Sequence, residues 1–376
     1  MQQVSARDPE GDGFLLAVIA RRTYDVAATG ACLPSREQTP LSTALLTGPA
    51  DPNLLLADLD VLPTKPRTDL IVHGHVFGDG EARTRLCEIR VGGHSRQLLA
   101  IGRRRCALGP SGRISISAPK PFDRIPLGFD QAYGGRDRVA EARHGNPLEA
   151  LAPFLPSPQM ARNQSPYLYP RNPCGRGYLI EASAAGVDAL ELPSLEDPYD
   201  LLTPERLVVG DVDRWVAMPI PRAAGWVHWG WFPRALFGGL RQEFAASAEA
   251  IPEVAAGHVP TELLTGAPRA RLAAAPRFAC GAALDLQLPH LAGNEAIAIT
   301  HVLPARGTFR ARLPGPPRRL AVDGRDGRLL KTKPILQTVI VEPEAARLIT
   351  IWRGAARARR PYFAEELAMM PLCVEW

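Results

Sequence analysis

Residues 69–77 read DLIVHGHVF, the turn Gly78-Asp79-Gly80 follows, and residues 84–91 read TRLCEIRV. Both runs are rich in apolar and β-branched residues, and glycine enters positive φ freely, so the stretch predicts two antiparallel strands joined by a hairpin. Working outward, strands are expected at 14–27, 96–102 and 113–118, and again at 283–288, 295–303, 307–313, 317–322, 335–341 and 347–353. Asp323-Gly324 and Asp326-Gly327 carry the same turn chemistry between the late runs. The runs follow one another without strand–helix–strand alternation. The expected fold class is therefore mainly β: antiparallel meanders forming one or two β-sandwich-like units, a long irregular middle region and few short helices. Helical composition is confined to the neighbourhoods of 147–152, 241–257 and 362–370.

Composition agrees. The 376 residues include 33 glycines and 37 prolines, punctuation that argues against a helical bundle and for many short strands joined by turns. A division at 1–135, 136–257 and 258–376 separates two β-rich units from the Pro/Gly/Trp-rich middle, with one continuous domain as the other arrangement. The net charge of +5 does not mark a nucleic-acid binder, and the 40 arginines against four lysines are read as compositional bias. The charge is uneven, with nine acidic and two basic residues in 181–214 but fourteen basic and four acidic in 306–360. Six scattered cysteines without a Cys-x-x-Cys pair are no disulfide framework and point to a reducing compartment. The longest N-terminal apolar run, 14–20, is far short of the ~20 residues that span a bilayer, so a cytoplasmic protein without a membrane partner is expected.

Phosphate-loop, dinucleotide-fold, nucleophile-elbow and His-Glu-x-x-His signatures are missing from the sequence, and no cofactor or metal is expected. His73 and His75 stand two apart, as metal ligands on one strand face can, but surface or interface histidines explain them better. Gly102-Arg103-Arg104-Arg105 reads as a solvated strand end or a phosphate contact. Glu191, Glu196, Asp197, Asp200, Asp211 and Asp213 could supply an acid/base pair, although ion pairing with the arginines is the stronger expectation. The most unusual feature is aromatic: four of the six tryptophans fall within 215–231. Trp226, Trp229 and Trp231, with Phe232 and Arg234, form the candidate protein-binding set, because Trp and Arg dominate interface hot spots. Such rings dominate cores as well, and the core reading is the heavier of the two.

Several segments share an order with a known family. They are Lys65-Pro66-Arg67-Thr68-Asp69-Leu70 with His73-Gly74-His75; Ala118 to Leu127; Gln131-Ala132-Tyr133-Gly134-Gly135; and Tyr169 to Tyr178. Further on come Leu192 to Pro198, Trp231-Phe232-Pro233-Arg234, Ala282 to Pro289 and Leu348 to Gly354. In these segments the chain resembles the domain of unknown function found in bacterial type VI secretion gene clusters, whose members act as adaptors or chaperones for toxic effectors. It departs from that pattern at 221–228, at Gly293-Asn294-Glu295 and at Gln337-Thr338.

The resemblance implies a non-catalytic protein that binds a newly made toxin effector in the cytoplasm and helps load it onto a VgrG or PAAR spike. It also implies that Asn172-Pro173-Cys174-Gly175-Arg176-Gly177 shapes a buried loop. A structural accessory of the spike or baseplate ranks second, and a carboxylate-dependent hydrolase built on the acidic middle ranks third.

Overall fold

Leu16, Ala17, Val18, Ile19 and Ala20 are all buried, so this run has no solvent face, as expected of a strand covered on both sides. It lies in the Phe14–Val26 strand, which pairs antiparallel with Arg347–Ala358 from Phe14↔Ala358 to Asp25↔Arg347. Around this pair a computed structural model describes residues 1–7, 13–49, 51–62, 64–146, 165–210, 212–231, 234, 279–305, 307–324 and 328–376. The protein is mainly β, with three short α-helices among the described residues: Arg138–His144, Ala184–Ala189 and Ala364–Met369.

A seven-stranded sheet runs Gln2–Arg7, Phe14–Val26, Arg347–Ala358, Ile335–Glu342, Thr68–Val72 and Gln287–Leu288, with Cys32–Pro34 also on Phe14–Val26. A five-stranded antiparallel sheet runs Leu195–Glu196, His94–Ile101, Thr84–Val91, Ala296–Leu303 and Gly307–Arg312. Both sheets take strands from the two ends of the chain. Leu16, Val72 and Ile349 of the first share one apolar cluster with Cys87, Leu98 and Ile299 of the second. A smaller cluster under the middle region gathers Tyr133, Tyr169 and Tyr178 with Leu202, Leu207 and Val209.

The quoted stretch departs from the expected hairpin. Thr68–Val72 pairs in parallel with Ile335–Glu342, whereas His75–Phe77 pairs antiparallel with Arg124–Pro126, and neither pairs with Thr84–Val91. The chain leaves the first sheet at His73-Gly74, where Gly74 lies so close to Pro343 that a Cβ would stand 3.2 Å from its Cδ. Thr84–Val91 instead forms its hairpin with His94–Ile101. An apolar run fixes a strand but not its partner, and parallel partners are distant in sequence. A second correction concerns 283–288, where Leu284–Leu286 is a 3-10 turn and only Gln287–Leu288 is strand. The run ends on a pairing of two residues with Thr68 and Asp69, too short to hold the whole segment extended. The hairpins between 296–303 and 307–312, and between 335–342 and 347–358, are as expected. The helices expected at 147–152 and 241–257 and the turn at 326–327 lie outside the described residues.

The 172–177 loop is buried at Asn172, Cys174 and Gly177 and half-buried between them, against an expectation of burial throughout. Asn172 is fully enclosed and donates its Nδ2 to the carbonyls of Phe129 (2.8 Å) and Tyr133 (3.0 Å). Gly134 and Gly177, both at positive φ, pair in a short parallel bridge beside it. A Cβ on Gly175 would lie 2.4 Å from Asn172 Nδ2 and 2.6 Å from the Ala132 carbonyl, so only glycine fits.

Candidate functional site

Three chain segments meet at one buried carboxylate, Asp58. Trp229 donates its indole N–H to Asp58 Oδ1 at 2.7 Å, and Arg234 donates Nη2 to Asp58 Oδ2 at 2.5 Å. The Arg234 guanidinium lies 4.1 Å above the Trp229 ring and also donates Nη1 to the Val227 carbonyl at 2.5 Å. Gly281 closes the arrangement from the third segment. A Cβ there would stand 2.5 Å from Asp58 Oδ2 and 2.7 Å from the Trp226 ring. Burial, then the charge of Arg234, push the His228 imidazole below its ordinary value, so it is neutral at pH 7.

A second buried pair lies alongside. Lys65 Nζ is 2.7 Å from Asp69 Oδ2 and 3.2 Å from Thr338 Oγ1, and neither charged side chain reaches solvent. Asp69 also accepts the backbone N–H groups of Gly281 (2.8 Å) and Ala282 (3.1 Å). Burial alone would lower the Lys65 ammonium, but the carboxylates of Asp69 and Asp58 outweigh it and hold the group above its ordinary value. The lysine stands 5.6 Å over the Trp226 ring, which ties it to the tryptophan cluster.

The structure therefore gathers Trp226, Trp229 and Arg234 around Asp58 and places Trp231 against Phe129, ring centres 5.3 Å apart. Trp226, Trp231 and Arg234 are buried and Trp229 is half-buried, all against residues of this same chain. Phe232 lies outside the described residues. Sequence reading singled out the rings and missed their partners Asp58 and Gly281. The available signal was the run LADLD at 56–60, in which two acids are interleaved with apolar residues.

Beneath Trp226 a cavity of about 160 Å³ is bordered by Arg21, Asp58, Asp60, His73, Glu342 and apolar neighbours. Its carboxylates are engaged. Asp60 accepts Arg21 Nη1 at 2.6 Å and the Ser42 N–H at 2.8 Å. His73, 4.0 Å away, and Arg347, directly bonded, outweigh burial and hold the Glu342 carboxyl down at about 2. His73 and His75 thus face Glu342 and Glu344 respectively, the latter at 2.7 Å. Among the described residues no group of three or more His, Cys, Asp or Glu side chains is placed to hold a metal. The six cysteines are free thiols.

Of the six acids singled out in the middle region, the four whose side chains are described are ion-paired. Glu196 is bonded to Arg104, Asp200 to Arg206, and Glu191 stands 3.5 Å from Arg176. Asp197 and Asp285 share Arg96 and Arg222, with Asp285 at 2.8 Å from the first and 2.5 Å from the second. The Asp211 and Asp213 side chains lie outside the described residues. Carboxylates bonded to arginines in this way tie down the loops that carry them.

No described helix is long and apolar enough to cross a membrane. No curated protein and no solved structure matches the chain. The sequence profile of the family described as "Uncharacterized protein conserved in bacteria (DUF2169)" matches residues 12–353, so the chain is a member of that family.

Proposed function

We propose that the protein is a non-catalytic adaptor or chaperone that binds a type VI secretion toxin effector in the cytoplasm and helps load it onto the VgrG or PAAR spike. The observation that carries this reading is the use to which the motif residues are put. Lys65 is consumed by Asp69, Arg234 by Asp58, and Asn172 by the Phe129 and Tyr133 carbonyls. Residues spent this way build a rigid scaffold, and a scaffold acts through the shape and charge of its surface. The ordered motif set that resembles the effector adaptors spans about 60–355, nearly all of it within the matched region.

Co-expression with a candidate toxin effector, followed by affinity capture, tests the proposal. A stable complex is expected, burying at least ~1,000 Å². A toxin that stays soluble and is secreted normally from cells lacking this chain overturns it. Capture of VgrG without any toxin points to the spike-accessory role instead.

A further inference from the structure

The basic cluster that follows the His94–Ile101 strand plays no part in the tryptophan and ion-pair core. It borders a cleft of about 680 Å³, with Arg103, Arg104 and Arg105 from one segment and Asp188, Glu191 and Ser194 from another. Arg104 is the anchored member. Its side chain is 9% exposed, bonded through Nη2 to Glu196 and, at 2.6 Å, to the Pro193 carbonyl. Its Nε is buried and has no hydrogen-bond partner. Arg103 and Arg105 flank it and are exposed, and among the described residues neither side chain has an ion pair or hydrogen bond.

The charge in the cleft is of two signs, with Arg103, Arg104, Arg105 and Arg176 on one side and Asp188 and Glu191 on the other. The arginine segment offers planar forks suited to carboxylates or phosphates. The other segment brings Asp188 and Glu191; among the described residues Glu191 is ion-paired, with Arg176 at 3.5 Å, and Asp188 is not. A phosphate dianion would meet these two carboxylates in the same space. A peptide would not be so penalised, because its acidic side chains can face Arg103 and Arg105 while its backbone N–H groups face Asp188 and Glu191.

We propose that this cleft is the seat for an acidic segment of the cargo protein, its carboxylates taken by Arg103 and Arg105. The identity of the peptide as cargo rests on the adaptor reading above; the binding chemistry does not.

The test uses the full chain and a fluorescein-labelled peptide of alternating Asp, Glu and Gly, followed by fluorescence anisotropy. Saturable binding is expected, weakened at least about tenfold in Arg103→Ser/Arg105→Ser, equivalent to ~1.4 kcal/mol. Both replaced side chains are exposed and unpaired, so the variant keeps its fold, and circular dichroism checks this. Asp188→Asn/Glu191→Gln is expected to tighten binding. No saturable binding, equal affinity in the arginine variant, or stronger displacement by inorganic phosphate or an oligonucleotide overturns the proposal. Toxin capture with the same variants separates the two readings. Peptide binding lost with toxin capture retained removes the cleft as the cargo seat and leaves the adaptor intact. Peptide binding retained in a wild-type chain that captures no toxin keeps the site and removes the adaptor.

Discussion

Replacing Lys65 by Met tests the buried ion pair most directly. The side chain is enclosed and so is its partner, with 2.7 Å between Nζ and Asp69 Oδ2. Lys65→Met leaves a buried carboxylate supported only by the Gly281 and Ala282 N–H groups, at 2.8 and 3.1 Å. Breaking one side of a buried pair costs ~3–5 kcal/mol, a large share of the ~5–15 kcal/mol that holds a domain folded. Asp69→Asn strands the ammonium instead and is expected to cost a similar amount. The double variant carries no orphaned charge. Its loss is that of the hydrogen bonds, ~1–3 kcal/mol, so the double change costs less than the sum of the singles. Urea unfolding followed by tryptophan fluorescence reads all three, with Trp226 beside the lysine as a local reporter. Single variants within ~1 kcal/mol of wild type, or losses that simply add, refute the reasoning.

Trp229→Phe removes the indole N–H that Asp58 accepts at 2.7 Å and is expected to cost ~1–3 kcal/mol in the same unfolding assay. Gly175→Ala pushes a methyl to within 2.6 Å of the Ala132 carbonyl, and ~1–3 kcal/mol of strain is expected, read as a lowered thermal midpoint. The Glu342 carboxyl is held at about 2, below its ordinary 4.5, so its contribution is full above 4.5 and is lost as the pH falls through that window. The stability gap between wild type and Glu342→Gln is therefore expected to close between pH 5 and pH 2; a gap constant across acid unfolding curves contradicts the assignment.

The sequence was readable where the information is local. The runs at 84–91 and 94–101 flank Gly92-Gly93 and form a hairpin, as do 335–342 and 347–358. The junction at His73-Gly74 was not readable, because nothing in DLIVHGHVF says that its first half pairs in parallel with a strand more than two hundred residues later. The tryptophans were visible as an anomaly, yet their meaning depended on Asp58, which lies 171 residues from Trp229. The acidic middle was legible as charge, and its pairing with Arg96, Arg104, Arg206 and Arg222 follows from the excess of arginine. The Arg103–Arg105 cleft needed the structure, since the acids that border it come from 188–191.

The buried ion pair also solves a problem that the apolar residues cannot. Thr68–Val72 is buried at every position, so it has no alternation of inward and outward residues to select a register against Ile335–Glu342. Polar groups supply the selection. Asp69 lies opposite Thr338, Lys65 bonds both, and Thr68 Oγ1 donates to the Leu336 carbonyl at 2.7 Å. A slip of one residue would carry Lys65 and Asp69 along together but break the Lys65–Thr338 and Thr68–Leu336 bonds, leaving buried polar groups unpartnered at ~1–3 kcal/mol each, a penalty that apolar packing does not impose. The same strand leads through His73-Gly74 toward the Thr84–Val91 and His94–Ile101 hairpin, after which Arg103 and Arg105 follow. Their backbone is held by its own bonds, the Lys120 N–H donating to the Arg103 carbonyl at 3.1 Å and the Arg105 N–H to Ser117 Oγ at 3.0 Å, and side chains carried on a backbone fixed before a partner arrives lose less conformational entropy on association.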